Sequence, residues 1–369
     1  MVVFDEYPNI IVGHDGKRKN TDFDEKLQNA IDHIFKDTKI SIVIMGSNVS
    51  FMENIIDDKN APLYKRHTFS LLISKLEWND ALNFVENMSL DDKIKILSLT
   101  DTYPYYLSYI DENQSFDDNL NNFFFNLDSL ITVNPAFTIS SNMNITGFYA
   151  GIMRCLSQKI NTIKDISNSL NAESGKVSLY MDELMKAGVV TRCSYFNSKR
   201  NTYYVINDRM TAFFFRFVQP FLDHIKLGNG LKIKERNENA IDNFIHHSYE
   251  NLCITYLNHL NGSGLLDCFY LEFSNFKADN TSLNRSVEID IVAVEKEHLL
   301  VGECKYSSKK KSLIEYNKMK EDATIHPLSD YLKKHFYLFS HNGFTDEILK
   351  SEDSNLHLIS SSDMVNPKK

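Results

Sequence analysis

The sequence predicts a mixed α/β chain built from several domains. Three observations lead there. The chain has 369 residues, and at about 100–200 residues per domain this is two or three domains. Apolar residues are 43% and charged residues 24% of it, globular usage that excludes wholesale disorder, a collagen-like repeat and a rod. Its hydrophobic spacing also changes along the chain: strand–helix–strand first, then helices and a hairpin, then two apolar strands near the end.

Residues 1–4 read as a buried strand ending in Asp5-Glu6. Residues 21–35 carry Phe23, Leu27, Ala30, Ile31 and Ile34 at helical spacing. Residues 40–45 are apolar and β-branched, the pattern of a buried parallel strand, and Gly46-Ser47-Asn48 closes it with a turn signal. Strand, helix, strand suggests a βαβ unit. From 77 to 130 the pattern is helical and acidic, broken at Pro104.

Residues 145–208 read differently. A helix over 145–156 puts Ile152, Cys155 and Leu156 on one face; a second runs to Leu170; a third spans 175–187 and stops at Gly188. Strands over 189–195 and 202–206 flank the basic tip Asn197-Ser198-Lys199-Arg200-Asn201. Three helices and a hairpin describe a winged helix-turn-helix. Its third helix would be the DNA reader, exposing Ser174, Lys176, Ser178 and Tyr180, with Lys199 and Arg200 on the wing. The plain alternative is a protein–protein spacer. Residues 210–228 form an aromatic helix (Phe213, Phe214, Phe215, Phe217, Phe221), and the polar stretch 229–239 reads as a linker.

Charge supports the same division. Residues 1–139 hold 12 basic and 22 acidic residues, residues 140–240 hold 14 and 8, and residues 241–369 hold 14 and 19. Only the middle part suits a phosphate backbone. No run of about 18 apolar residues exists, so no membrane partner is expected, and the start lacks the basic region of a signal peptide. The cysteines, Cys155, Cys193, Cys253, Cys268 and Cys304, are scattered without a CxxC pair. That argues against a disulfide framework and for a cytoplasmic location.

The chemistry-bearing pattern lies in the last third. Residues 287–293 (VEIDIVA) alternate and then become wholly apolar, and LLVGECKY follows at 299–306. Side chains alternate along a strand, so Glu288 and Asp290 share a face, as do Glu303 and Lys305. A hairpin turning near Lys296 and Glu297 would bring Asp290 to Glu303. Two convergent carboxylates can hold Mg²⁺, with Glu288 assisting. Lys305 would act as base or electrostatic stabiliser, and Glu250, on a helix upstream, is a further catalytic or ligand candidate. The plain alternative is a surface hairpin with an incidental ion pair.

These residues resemble the PD-(D/E)xK nuclease superfamily. More narrowly, they resemble the C-terminal domain of a family of archaeal and bacterial predicted P-loop ATPases, built as ATPase module, winged helix and nuclease-like domain. The resemblance covers nearly the whole chain. VVFDEYPNI looks like the family's Walker B strand, which implies Asp5 for Mg²⁺ and Glu6 as water-activating base. SIVIMGSNVSFMENII looks like the next strand, with Ser47 and Asn48 at a polar sensor position, and APLYKRHTFSLLISKL offers Arg66 as a nucleotide-sensing arginine. TYPYYLSYI looks like the lid segment, with Asp101-Thr102-Tyr103-Pro104 in place of Gly-Gly-Ile-Pro. The phosphate-binding G-x-x-x-x-G-K-[ST] does not occur in the 369 residues. The first part is therefore expected to be an incomplete P-loop ATPase core that binds ATP only if a missing segment is supplied, for instance by a protein partner or an oligomer.

The expected organisation is a partial ATPase core with helical lid at 1–139, a winged helix at 140–210, a connecting helix and linker at 211–239, and a restriction-endonuclease-like α/β domain at 240–369. Two functions stay open. One is a DNA-associated ATPase-family protein with a Mg²⁺-dependent nuclease-like domain. The other is a non-catalytic DNA- or protein-binding module in which both folds are scaffolds.

Overall fold

The structure, a computed structural model, describes residues 1–11, 22–46, 49–73, 75–130, 147–196, 198–279 and 282–366. Ser47 and Asn48 lie outside these residues, and so do the side chains of Lys199 and Arg200. The chain divides into two compact units, Met1–Ile73 with Lys186–Gly188, and Ser74–Met185 with Val189–Lys369.

In the first unit β1 (Val2–Phe4) runs parallel to β2 (Ile42–Ile44), Val2 opposite Ile42 and Phe4 opposite Ile44. Helices Tyr7–Ile11 and Phe23–Asn29 lie between them in sequence, the expected strand–helix–strand order. The expectation of a buried leading strand is corrected: Val2 and Val3 are 42% and 45% exposed. The sheet has two strands among the described residues, so β1 is paired on one edge only. The core forms instead where Tyr7, Ile11, Leu27, Ile55 and Leu63 meet.

In the second unit the acidic stretch is helical over Trp78–Leu82, Leu90–Thr100, Pro104–Leu107 and Phe116–Leu120. Ser89 and Ser115 cap two of these helices through the Asp92 and Asp118 backbone N–H groups. The sequence grouped this stretch with residues 1–73, but it packs with the C-terminal part. Trp78 is buried, its Nε1 donates to the Met364 carbonyl at 2.8 Å, and its ring meets Tyr256 at 5.3 Å.

The middle region has helices Gly147–Ser157, Ile163–Leu170 and Ser174–Lys186, then β3 (Val190–Tyr195) antiparallel to β4 (Ser198–Ile206). Residues 199 and 200 belong to β4 rather than to the hairpin tip, because a register shift at Ser194/Tyr195 tightens the turn. The tip is also engaged: Phe196 N–H donates to the Asn275 carbonyl at 2.8 Å, and the Tyr203 hydroxyl donates to Asn275 Oδ1 at 3.0 Å.

Residues 230–239 are not a linker. They open a helix that runs without interruption over Gly230–Gly262, about 50 Å at 1.5 Å per residue. Its buried stripe is Ile241, Phe244, Ile245, Ser248, Tyr249, Leu252, Cys253, Tyr256 and Leu257, an unbroken three–four spacing. Extending a formed helix is far easier than starting one, so this stripe carries the polar first turns with it. The aromatic segment before it is buried as expected through Phe213, Phe214, Phe215 and Phe217.

The long helix packs against a five-stranded sheet of order β5-β6-β7-β8-β9: β5 (Ser274–Ala278), β6 (Val287–Glu295), β7 (His298–Lys305), β8 (Lys333–Ser340) and β9 (Leu356–Ser360). β5–β6–β7 are antiparallel and β7–β8–β9 parallel. Ile291, Ala293, Leu300, Cys304 and Phe339 join the long helix's core, whereas Val287, Ile289, Val292, Leu299 and Val301 join a second core with Tyr316 and Met319 of the Leu313–Asp322 helix.

Candidate active site

β6 and β7 form the expected hairpin, turning at Lys296, whose φ is +53°. Ser274 pairs with Val292 but Phe276 pairs with Ile289. Asp290 and Ile291 thus stand opposite the single Asn275, which is a β-bulge. A bulge re-aims the strand's side chains. Here Ile289 and Val292 enter one core while Ile291 enters the other. Ile291 then lies over Gly302, where a Cβ would stand 2.9 Å from the Ile291 Cβ. Asn275 Nδ2 fills the gap in the ladder by donating to the Asp290 carbonyl at 2.6 Å.

The bulge leaves Asp290 beside the end of β7. The Cys304 backbone N–H donates to Asp290 Oδ2 at 2.8 Å. Lys305 Nζ lies 2.6 Å from Glu303 Oε1 and 4.0 Å from Asp290 Oδ2. The side chains of Asp290, Glu303 and Lys305 are 16%, 13% and 39% exposed, so the carboxylates are mostly shielded and the lysine side chain is the most accessible of the three. Burial, then the charges of Glu303 and Glu250, push the Asp290 carboxyl up to about 7, against the opposing effects of Lys305 and the Cys304 N–H. For Lys305 burial alone would lower the pKa, but the facing Glu303 and Asp290 carboxylates outweigh it and raise it. The ammonium is therefore held charged.

The other expected residues fall differently. Glu250, on the long helix, is close enough to act on Asp290 electrostatically, and its own partner is His247 Nδ1 at 3.2 Å. Glu288 is exposed and pairs across the ladder with Lys277. Ser174 and Lys176 are exposed on the third middle helix. Tyr180 is not a free reader: its ring packs on Phe148 and Tyr149 at 4.8 and 4.6 Å, and Lys176 Nζ sits 4.3 Å from the Phe148 ring centre. In the first unit Asp5 is exposed and accepts the Glu6 N–H at 3.0 Å. Arg66 is committed to a clamp. Its Nε and Nη2 donate to Asp32 at 3.0 and 2.9 Å, and its Nη1 donates to the Pro62 carbonyl at 2.9 Å.

Two groupings near this centre leave no mark in the sequence. Beyond Lys305, the Tyr306 hydroxyl donates to Asp91, its ring stacks on His341 at 4.2 Å, and Asp91 also meets His341 at 3.2 Å and Lys95 at 2.7 Å. His341, with Lys95 and Tyr306 assisting, holds the Asp91 carboxyl well below the usual range. Second, Lys75, Asp101, Tyr103, Arg209 and Asn251 line a cavity of about 400 Å³ next to Glu250 in sequence. Burial lowers the Arg209 pKa, while Asp101 and Glu250 oppose that. These groups come from segments far apart in the chain, and no spacing rule links them.

Residues 1–110 match the family model of an ATPase domain predominantly from Archaea. Residues 214–320, which include Glu250, Asp290, Glu303 and Lys305, match that of archaeal and bacterial proteins of unknown function. An uncharacterized protein of Methanocaldococcus jannaschii is 24% identical over 298 residues, covering 80% of this chain and 64% of that relative. The chain thus spans under two thirds of that relative's length. A crystal structure of NadR in complex with 4-hydroxyphenylacetate covers 32% of this chain and 74% of its own at 21% identity. Its TM-score is 0.19, too low to bear on the fold. Among the described residues no helix is long and apolar enough to cross a membrane.

Proposed function

We propose that the end of the β6–β7 hairpin is a divalent-metal-dependent centre for phosphodiester hydrolysis, in an ATPase-related chain that acts on DNA. The observation that carries this reading is the convergence of Asp290 and Glu303 on one ammonium, with Lys305 Nζ at 4.0 and 2.6 Å.

The donors fit Mg²⁺: they are carboxylate oxygens, from Asp290 and Glu303 with Glu250 nearby, and Mg²⁺ takes oxygen ligands through one or two carboxylates. When bound, the ion supplies Lewis-acid charge to the phosphate. The residues supply the rest. The Cys304 N–H and the Asn275 amide hold Asp290 in place. Lys305, cationic at neutral pH, stabilises negative charge on the phosphate oxygens rather than accepting a proton. Asp290, whose carboxyl lies near 7 without a metal, must shed its proton to ligate the ion, so binding is expected to strengthen as pH rises through that value.

In this reading the three middle helices and the β3–β4 hairpin are a winged helix and the C-terminal sheet is a restriction-endonuclease-like fold. Ser174 and Lys176 would contact DNA, with Lys199 and Arg200 from β4. Asp5 and Glu6 would serve ATP and Mg²⁺ together with a phosphate-binding loop. The test is cleavage of single- and double-stranded DNA with Mg²⁺ by the parent chain and by Lys305→Ala. Cleavage by the parent and its loss in the variant support the centre; equal cleavage by both overturns it.

A second reading is favoured by one detail. The 2.6 Å contact between Lys305 and Glu303 already neutralises the site, as a structural ion pair does. Metal binding without cleavage of any nucleic acid would support this scaffold reading.

A further inference from the structure

Along the same sheet, with His335 opposite Leu300 and so about 16 Å along the strand from Lys305 at 3.3 Å per residue, lies a second cluster of different chemistry. β8 places His335 and Tyr337 on one face, β9 pairs His357 with Tyr337, and β7 places His298 diagonally across from His335. Asp267 joins them from the segment between the long helix and β5. That segment is pinned by Asn261, whose amide exchanges hydrogen bonds of 2.8 and 3.0 Å with the Tyr270 backbone.

We propose that Asp267, His335 and His357 form a binding site for a first-row transition-metal cation of the Zn²⁺ type. His335 Nδ1 and His357 Nε2 lie 3.0 and 3.3 Å from Asp267 Oδ2, and the donor atoms of all three residues lie within 4.8 Å of one another. A tetrahedral ion with bonds of about 2.0–2.2 Å needs ligand–ligand edges of about 3.3–3.5 Å, so a small closure or opening of side chains suffices. The two ring nitrogens are buried and make no hydrogen bond. They come near the carboxylate but off the line that an N–H···O bond requires, as lone pairs do when they aim at a shared point.

The surroundings suit that role. His335 is 8% exposed, and its other nitrogen, Nε2, meets His298 Nδ1 at 3.0 Å with the rings coplanar to 2°. A partner on the far nitrogen sets the tautomer and ring orientation of a metal-bound histidine. Tyr337 helps to position the other two: its hydroxyl donates to Asp267 Oδ2 at 3.1 Å, and its ring stacks on His357 at 4.3 Å. Two imidazoles and one carboxylate favour a borderline metal over Mg²⁺. Three protein ligands also leave a fourth position for water or substrate.

The test uses the whole 369-residue chain, stripped with a chelator and titrated with Zn²⁺ against an indicator, and separately with Co²⁺ followed by visible absorption. The expected result is one tight equivalent and a tetrahedral Co²⁺ spectrum without a thiolate charge-transfer band, since Cys268 is the nearest thiol in sequence. His357→Ala and Asp267→Asn, at partly exposed positions, should each weaken Zn²⁺ by about 100-fold or more, above the 10–100-fold lost with an outer partner. Circular dichroism checks their folding. Cys268→Ser and Asp290→Asn should bind Zn²⁺ like the parent, the latter separating this site from the carboxylate centre. No stoichiometric Zn²⁺, parent-like binding by both ligand variants, or a thiolate band would overturn the proposal.

Discussion

Asn275 Nδ2 donates to the Asp290 carbonyl at 2.6 Å, one residue bridging the gap opened by two on the facing strand. The aim of the Asp290 carboxylate thus depends on a side chain that touches no reacting group. The same Asn275 accepts from Tyr203 and, through its carbonyl, from Phe196, so the β3–β4 hairpin and the carboxylate centre share one support.

Asn275→Ala should therefore weaken Mg²⁺ binding by roughly 10-fold while leaving every ligand in place, and cost about 1–3 kcal/mol of stability through the unpaired Asp290 carbonyl. Asn275→Asp keeps one acceptor but loses the donor, and should behave like the alanine variant. Calorimetric Mg²⁺ titration and urea unfolding read the two effects. Parent-like Mg²⁺ affinity in both variants would remove Asn275 from the site.

In the metal-free protein, folded Asp290 keeps its proton up to about pH 7, against 3.8 for an ordinary Asp. The folded state then holds more protons than the unfolded one between these values, so this group's contribution to stability falls as pH rises from about 4 to about 7. Asp290→Asn does not titrate. In chelator it should gain stability relative to the parent across that window and stay ahead at pH 8. A variant–parent difference that is flat with pH would contradict the buried, repelled carboxylate.

The facing Glu303 and Asp290 carboxylates raise the Lys305 pKa against its burial, so the residue is expected to act as a fixed charge. Lys305→Arg should retain part of any cleavage, and the pH–rate profile should show no limb from deprotonation of residue 305. An alkaline limb that disappears with Lys305→Arg would instead make the lysine a proton acceptor.

Gly230 starts the long helix under the Phe125 carbonyl, where a Cβ would stand 1.8 Å from the oxygen. Gly230→Ala should cost at least about 1–3 kcal/mol, as overpacking does, although alanine is the better helix former. A neutral or stabilising effect in thermal unfolding would mean that this packing is wrong.

The β6–β7 hairpin was legible because VEIDIVA and LLVGECKY carry the two-residue period and because Lys296-Glu297 separates them. The bulge was not, since one extra residue in a ladder leaves no mark on composition. The start of the long helix reads as a linker because residues 230–239 carry only Leu231 and Ile233 as large apolar side chains; their helicity is inherited from the stripe that begins at Ile241. Helical spacing alone puts Tyr180 on the open face and says nothing of Phe148 and Tyr149, which come from another helix. The Asp267–His335–His357 cluster was invisible for a related reason: two parallel strands and a loop supply one ligand each, so no spacing between ligands repeats a motif.

Calorimetric titration with Mg²⁺, which prefers oxygen to imidazole donors, tests the central claim most directly. The parent chain, Asp290→Asn and His357→Ala are compared under identical conditions. The parent and His357→Ala should bind Mg²⁺ saturably, and a folded Asp290→Asn should not. Equal Mg²⁺ binding by Asp290→Asn and the parent would contradict it.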